Sequence, residues 1–305
     1  MLIDGRTLPK NHKLEAVLDR IDLVEGDILD EDAVHAAMRG VRRVFHQAAL
    51  RSVPRSVADP LSSNRVNVEG TLNVLTAAPA AGVERVVYAS SSSIYGAAEA
   101  LPLREDLTPR PVSPYAVSKL AGEHYCQVFT RVYGLPTVGL RYFNVFGPRQ
   151  NPESQYAAVI PRFIAAAVRG ESLEVHGDGL QSRDFTHVRN VVAANCLAAE
   201  RAAGVGEVFN VACGRSYSLL DIIQILSHEP PEGVPPIHWH HAPARPGDVR
   251  HTQADLTKAG RGLSYQPVVR FEAGLRDTLA AYAGRPRVSA VDRRRPWNRR
   301  AIAPG

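Results

Sequence analysis

A tyrosine and a lysine four positions apart are the first candidates for chemistry in this chain. Tyr115 and Lys119 lie in a stretch that predicts a helix over residues 113–132, so their side chains share one helix face, one turn apart. A free tyrosine has a pKa of about 10, but a nearby ammonium group favours its phenolate. Such a phenolate can remove a hydroxyl proton while hydride leaves the same carbon. Alone, this spacing is also common on solvated helices.

Four consecutive serines give the pair a context. Ser90 to Ser93 follow a β-rich run at residues 84–89, and open α/β sheets bind ligands at the carboxyl ends of their strands. A hydroxyl at this edge can hydrogen-bond the reacting oxygen of a substrate and relay its proton to Tyr115. A second run, LRYFNVFGP at residues 140–148, is expected to end at the same edge.

The elements that must position these side chains alternate between strands and helices. Strands are predicted at residues 23–27, 41–49, 84–89, 137–142, 173–176 and 208–211. Helices are predicted at residues 30–39, 67–81, 113–132, 155–170, 191–203 and 271–282. This alternation indicates an α/β fold with a Rossmann-like, doubly wound parallel sheet. We predict a dinucleotide-type domain in residues 1–150, to which residues 188–212 return, and a smaller C-terminal substrate lobe in residues 151–284.

Composition bounds the class of protein. The chain is 45% hydrophobic and 22% charged, which is ordinary for a globular protein. It has no apolar run near the roughly 20 residues that span a bilayer, and its first residues lack signal-peptide character, so we expect a cytoplasmic protein without a membrane partner. Cys126, Cys196 and Cys213 are isolated, which predicts buried reduced thiols and no metal site.

The net charge of +5 does not indicate a nucleic-acid partner. Seven arginines fall within residues 285–305, and the rest of the chain is slightly acidic. We therefore interpret residues 285–305 as a basic, disordered tail, and expect no nucleic-acid binding.

Several motifs in one order resemble the NAD-dependent epimerase/dehydratase family, the extended short-chain dehydrogenases. They are HQAAL at residues 46–50, SVPRS at 52–56, SPYAVSK at 113–119 and PARPGD at 243–248. The likeness extends from about Asp4 to Tyr282 and is strongest to the bacterial UDP-N-acetylglucosamine 4-epimerase branch. It implies NAD as the cofactor, a UDP-sugar as the substrate and a homodimer as the assembly.

The resemblance also implies a role for individual residues. Ser91 would be the catalytic hydroxyl, Tyr115 the base and acid, and Lys119 the group that holds Tyr115 and the nicotinamide ribose. The implied cofactor-binding residues are Asp4, Asp27, Ile28, Ala48, Ala49, Asn67, Tyr115, Lys119 and Phe143. The implied substrate-binding residues are Ser92, Ser93, Asn144, Val159, Val175, Arg183, Arg245, Asp248 and Thr252. Arginines suit the diphosphate because a guanidinium is planar and permanently charged.

Two positions distinguish branches within this family. Sugar dehydratases place an acidic residue beside the catalytic hydroxyl, whereas here the neighbours are serines. Thr252 is small and would leave room for a 2-acetamido group. The expected reaction is therefore C4 epimerisation of UDP-N-acetylglucosamine through a 4-keto sugar. The alternatives are a UDP-glucuronate or UDP-glucose 4-epimerase, and an inactive homologue that serves only as a binding or dimerisation module.

The chain departs from the family at its start. Family members begin with a strand, a GxxGxxG turn and a helix whose N-terminus receives the pyrophosphate, and none of these is present. That strand is central in the order 3-2-1-4-5-6, so its neighbours are predicted to expose unpaired edges and apolar faces. We favour a misplaced gene start. The alternatives are a truncation with weak or no NAD binding, and a fragment that pairs with a full-length homologue through the helices at residues 66–78 and 113–132.

Overall fold

A computed structural model describes residues 2–3, 14–98, 100–152, 158–228, 230, 232–244 and 250–284. The strands of these residues are β1 (Leu2–Ile3), β2 (Val24–Glu25), β3 (Arg43–His46), β4 (Arg85–Ser91), β5 (Thr137–Tyr142), β6 (Val145–Phe146), β7 (Leu173–His176), β8 (Ser182–Arg183), β9 (Thr186–His187), β10 (Val208–Val211), β11 (Tyr217–Ser218) and β12 (Trp239–Ala242). The α-helices are α1 (Glu31–Met38), α2 (Val53–Ala58), α3 (Pro60–Asn64), α4 (Gly70–Ala80), α5 (Pro114–Tyr133), α6 (Val159–Arg169), α7 (Val188–Glu200), α8 (Leu219–Ser227), α9 (Thr257–Leu263) and α10 (Phe271–Ala283). A π-helical turn, Arg65–Glu69, joins α3 to α4, and a 3-10 helix, Ser92–Tyr95, follows β4.

The central sheet contains four parallel strands in the order β10-β5-β4-β3. Alternation along β4 divides its side chains between two apolar cores. Val86 and Tyr88 pack with α1, α4 and α5, whereas Val87 packs with α7 and α9 on the opposite face. Helices therefore cover both faces of a parallel sheet, and the predicted Rossmann-type α/β fold is confirmed.

The edge of this sheet at β3 is open among the described residues. β3 pairs with β4 on one side, whereas β1 and β2 form a separate parallel pair. Phe45, in the middle of β3, is 46% exposed. Among the described residues, β3 therefore presents an unpaired edge and an exposed phenylalanine.

The C-terminal elements build a separate apolar core around Phe271. Its ring lies 4.2 Å from that of Tyr217 and 5.5 Å from those of Phe146 and Phe185. Helices α6, α8 and α10 and strand β7 contribute to this core. In contrast, β10 and α7 pack with the central sheet. No helix in the described ranges is long and apolar enough to cross a membrane.

Several elements differ from the prediction. The short helices α2, α3, α8 and α9 and the strand β12 were not predicted, although the capping box of Ser218 and Asp221 signals the start of α8. The predicted helix at residues 67–81 begins earlier, because α3 continues through the π-helical turn into α4. The expected burial of the thiols is wrong for Cys196, which is exposed on α7.

Local signals place the start of α5, the helix that carries the tyrosine and the lysine. The hydroxyl of Ser113 accepts the Ala116 N–H at 3.2 Å, and Pro114 occupies the first turn. The helix ends at Gly134, whose φ of 67° suits a residue without a side chain. This start places Tyr115 in the first turn of α5, beside the carboxyl end of β4.

One glycine allows α5 to approach β4 closely. A Cβ at Gly122 would lie 2.2 Å from the hydroxyl oxygen of Tyr88, which is fully buried and donates to the Lys119 carbonyl at 3.3 Å. The ring of Tyr88 therefore occupies the space that any larger residue at position 122 would need.

We expect Gly122→Ala to lower the stability of the chain by about 1–3 kcal/mol, because Tyr88 has no room to move. Gly260→Ala in α9 is the matched control, since its Cβ would meet no atom nearer than 3.8 Å and alanine favours a helix. Urea unfolding measures both variants. Equal stability of the Gly122 variant and the native chain would contradict this packing account.

Candidate active site

The structure brings Ser91, Tyr115 and Lys119 together at one edge of the sheet. Ser91 is the last residue of β4, and the other two lie on successive turns of α5. The Ser93 hydroxyl donates to the Ser91 Oγ at 2.9 Å, and the Ser93 N–H points to the same atom at 3.2 Å. The same Ser91 hydroxyl favours the ionised form of Tyr115 and so acts to lower the pKa of that tyrosine.

Burial sets the proton affinity of Tyr115. Desolvation raises the pKa of its hydroxyl, while the Ser91 hydrogen bond and the charge of Arg51 oppose this rise. Both opposing groups favour the phenolate. Arg51 had not been predicted as a site residue; it lies next to the SVPRS motif, and its position toward Tyr115 depends on the fold of that loop.

Lys119 is 4% exposed, and its ammonium group points at the end of β4. Nζ donates to the Ala89 carbonyl at 2.9 Å and lies 5.1 Å from the centre of the Tyr88 ring. Burial lowers the pKa of Lys119 to about 8. Ser91 and Arg51 are the groups that lower the pKa of Tyr115 against the effect of burial.

Asn67 fixes the loop that follows β3. Its Oδ1 accepts the Leu50 N–H at 2.8 Å, and its Nδ2 donates to the Leu50 carbonyl and to the Ser118 Oγ at 3.1 and 3.0 Å. The far end of the loop is held by Ser56, whose Oγ accepts the Tyr115 N–H at 3.0 Å. Asn67 is therefore buried behind the loop and holds its backbone in place.

Ser56, Ser118 and His46 are further site residues that the sequence reasoning missed, although all three lie within the quoted motifs. His46 is buried and lies 2.9 Å from the Thr71 hydroxyl, which itself donates to the Asn67 carbonyl at 2.6 Å. Burial, and to a smaller extent the charge of Lys119, lowers the pKa of His46 to about 3. This histidine is therefore neutral and structural.

The other residues predicted to bind the cofactor follow β2, β3 and β5. Asp27 accepts the Leu29 N–H at 3.0 Å in the turn after β2, and the Ile28 side chain packs over Gly70. Ala48 is exposed, Ala49 is partly buried, and Phe143 is fully buried beside Tyr95. Asp4 lies outside the described residues.

The predicted substrate residues occupy two neighbouring regions. Asn144 follows β5 with a φ of 33°, and its amide points to the Asp184 carbonyl at 3.4 Å. Thr252 is bonded through its N–H to the Ser182 carbonyl at 3.1 Å, beside Arg183. The placement of the remaining residues is as follows: Ser92 and Ser93 are partly buried in the 3-10 helix, Val159 begins α6, Val175 is fully buried in β7, and Arg245 and Asp248 lie outside the described residues.

Comparison with known proteins decides the family. The model of the NAD dependent epimerase/dehydratase family matches residues 2–212. This chain belongs to that family. The UDP-glucose 4-epimerase of Mycolicibacterium smegmatis is 37% identical over 263 residues, which cover 86% of this chain and 82% of that enzyme. The UDP-glucuronate 4-epimerase of Thermodesulfobacterium geofontis is 34% identical over 243 residues, 78% of this chain and 72% of that one.

Solved structures of the family are also similar. The UDP-N-acetylglucosamine 4-epimerase from Methanobrevibacter ruminantium, in complex with UDP-N-acetylmuramic acid, aligns with a TM-score of 0.84 at 37% identity. The alignment covers 92% of this chain and 89% of that one. The UDP-glucuronic acid 4-epimerase from Bacillus cereus, in complex with UDP-glucuronic acid and NAD, gives a TM-score of 0.80 at 31% identity, with 89% and 85% covered.

The side chains of this family member fit the nicotinamide end of NAD. A lysine ammonium has three donors, and one of those on Lys119 is used by the Ala89 carbonyl. The hydroxyl oxygens of a ribose are suitable acceptors for the other two N–H donors of the ammonium group. Tyr115 lies one turn away, and the Leu50 loop forms the neighbouring wall. Lys119 and Tyr115 are therefore the residues that would hold this half of the cofactor.

Replacing Lys119 by methionine tests the environment of its charge. Because the pKa is about 8 in the folded chain against an ordinary 10.5, the folded state releases this proton first as the pH rises. The buried charge therefore lowers the free energy of unfolding by its full amount below about pH 8, and this destabilisation disappears as the pH rises to about 10.5. Relative to the Lys119→Met variant, we expect the unfolding free energy of the native chain to rise by about 3 kcal/mol across this window.

Urea unfolding of both proteins at several pH values between about 7 and 10 measures this difference. All other titrating groups are common to the two proteins and cancel in the comparison. A difference that does not change with pH would show that Lys119 keeps an ordinary pKa.

Proposed function

We propose that this chain is an NAD-dependent UDP-sugar 4-epimerase that interconverts UDP-N-acetylglucosamine and UDP-N-acetylgalactosamine. The observation that carries the proposal is the convergence of Ser91, the last residue of β4, with Tyr115 and Lys119 on successive turns of α5 at the carboxyl end of the strand. Together with family membership, this geometry supports proton transfer at a sugar hydroxyl.

The chain's own groups supply the acid–base part of the reaction. Tyr115 removes the proton from the C4 hydroxyl, and the Ser91 hydroxyl bridges the sugar oxygen and the tyrosine. Bound NAD⁺ is the hydride acceptor that this chemistry requires, and the sugar becomes a ketone at C4. When the ring has turned its other face toward the site, Tyr115 returns the proton to O4 as the hydride that the bound cofactor would hold returns to C4, and the configuration at C4 is inverted.

Epimerisation is favoured over dehydration by the groups that surround Ser91. Elimination of water needs an additional acid beside the catalytic hydroxyl, whereas the next two residues, Ser92 and Ser93, carry hydroxyls. Ser93 donates to Ser91, so its role is to orient that hydroxyl. Once C4 of the sugar is a ketone, this segment provides no carboxyl group that could assist the loss of a neighbouring hydroxyl as water.

The acetamido sugar is favoured by the size of Thr252 and by the structural relative that is a UDP-N-acetylglucosamine 4-epimerase. Arg51 favours a second candidate, a UDP-glucuronate 4-epimerase, because its charge acts on Tyr115 and would attract a sugar carboxylate. UDP-glucose is the third substrate to compare. The remaining alternative is an inactive homologue that only binds a partner.

A homodimer in the cytoplasm is part of the proposal. Helix α5 exposes Val117, Val128 and Val132 on its outer face, and α3 beside it exposes Leu61. Together these four side chains form an apolar surface on α3 and α5, which a second copy of the chain would bury.

Tyr115→Phe tests the proposed base. We expect kcat for C4 inversion to fall by about 10²–10⁴-fold, because the variant keeps the ring but has no proton to exchange. The products of each UDP-sugar are measured by chromatography and mass spectrometry, since an epimer keeps the mass of its substrate and a dehydration product loses water. Tyr133→Phe, on the exposed end of α5, is the matched control. Failure of the native chain to form any C4 epimer would overturn the proposed function.

Thr252→Tyr tests the assignment of the sugar. A large ring at this position is expected to lower kcat/KM for UDP-N-acetylglucosamine by more than about tenfold while that for UDP-glucose changes little, because only the former carries a bulky 2-substituent. An equal loss for both sugars would contradict contact between Thr252 and the acetamido group.

A further inference from the structure

A buried ion pair lies directly beneath the hydroxyls of the proposed site. Arg141 of β5 donates through Nε and Nη2 to the two carboxylate oxygens of Glu123 on α5, at 2.9 and 2.8 Å. The two side chains are 4% and 3% exposed. One carboxylate therefore accepts two parallel hydrogen bonds from the planar guanidinium in the interior of the protein.

Stability alone is a weak reason for such a pair. Removing two charges from water costs several kcal/mol for each ion, and well-packed apolar residues of similar volume are often at least as stable. The pair can instead hold neighbouring groups in place, because each hydrogen bond restricts the distance and the angle between the two groups that it joins. Its further partners therefore show what it holds in place.

On one side, the pair holds both elements of the catalytic site. The Ser90 hydroxyl donates to the Glu123 Oε1 at 2.5 Å, and Ser90 immediately precedes Ser91 on β4. Glu123 lies one turn beyond Lys119 on α5. The carboxylate thus joins the strand that carries the catalytic hydroxyl to the helix that carries the tyrosine and the lysine.

On the other side, the pair reaches the substrate segment. Arg141 Nη1 donates to the Tyr95 hydroxyl at 2.9 Å, and Tyr95 donates to the Asn210 Oδ1 at 2.7 Å. The Asn210 amide then donates to the Leu103 carbonyl at 2.9 Å and to the Asp255 carbonyl at 3.2 Å. Asp255 lies three residues after Thr252, on the segment proposed to contact the sugar.

We propose that Glu123, Arg141 and Tyr95 are positioning residues that align Ser91 with Tyr115 and tie both to the segment around Thr252. This inference rests on the proposed function, since it assigns these residues to the alignment of the same reaction. They act through Ser90 and Asn210 and do not touch the reacting atoms.

The double variant Glu123→Leu/Arg141→Met replaces the pair by apolar side chains and leaves no buried charge unpaired. If the pair positions the site, kcat falls at least about tenfold while KM for UDP-N-acetylglucosamine and Tm change little. Tyr95→Phe and Ser90→Ala each remove a single hydroxyl from the network, and each is expected to lower kcat in the same direction. These single variants decide the question if the double variant does not fold.

Glu84→Leu/Arg42→Met is the matched control. This pair has the same bidentate geometry, at 2.8 and 3.0 Å, but it is exposed at the amino ends of β3 and β4, away from the site. It is expected to retain the native kcat.

A second measurement needs neither substrate nor cofactor. The tyrosinate absorbance of each protein is measured as the pH is raised. Subtracting the absorbance of the same protein with Tyr115→Phe leaves the ionisation of Tyr115. Loss of the Ser91 alignment removes a hydrogen bond that favours the phenolate, so the Tyr115 titration should move to higher pH in the double variant and not in the control.

The possible results separate the two proposals. A folded double variant, or folded single variants, with kcat within about twofold of the native value and an unchanged Tyr115 titration would overturn the positioning role. An equal loss of kcat in the Glu84/Arg42 control would overturn it as well. If the native chain forms no C4 epimer, the proposed function fails, and the Tyr115 titration still decides whether the network aligns Ser91.

Discussion

The close contact between α5 and β4 is the constraint on which the rest of the site depends. Gly122 lets the helix lie against the ring of Tyr88, and the Lys119 ammonium reaches the Ala89 carbonyl near the strand's end. The Glu123 carboxylate, one turn further along the helix, accepts a hydrogen bond from the Ser90 hydroxyl. With three contacts along one side of the helix, the register of α5 is fixed, and Tyr115 comes into reach of Ser91.

Burial has opposite consequences for the two ionisable groups of this contact. It raises the pKa of Tyr115 and lowers that of Lys119, so both groups are driven toward their neutral forms. A base that must lose a proton in this environment needs nearby groups that favour its anion. Here Ser91 and Arg51 have that effect, and the loop that carries Arg51 is held by Asn67 and Ser56. The loop after β3 therefore contributes to the electrostatics of the site as well as to its shape.

Much of this arrangement could be predicted because its signals are local. The strands at Thr137–Tyr142, Leu173–His176 and Val208–Val211 have the predicted bounds, since each is a short segment that contains buried apolar residues and follows a turn. The predicted start of α5 agrees with its cap at Ser113 and Pro114, and the four-residue spacing placed Tyr115 and Lys119 on one face. The fold class followed from the order of these elements.

Other features depend on contacts between distant parts of the chain and leave no local pattern. The spacing of Tyr115 and Lys119 placed the two side chains on one helix face, but it carried no sign that the ammonium also donates to a backbone carbonyl of β4. Asn67 is predicted to line the dinucleotide, and no local pattern indicated that its amide also bonds to the Leu50 backbone and Ser118. The pairing of Glu123 with Arg141 joins residues 18 positions apart on different elements, and neither had a signal of its own.

An isotope experiment tests the proposed reaction most directly. The chain is incubated with NAD⁺ and UDP-N-acetylglucosamine that carries deuterium at C4, and the C4 epimer is isolated. The account predicts a primary kinetic isotope effect and an epimer that keeps the deuterium at C4, because the same hydride returns to the opposite face. An epimer that has lost its deuterium to water, or no epimer at all, would contradict the account.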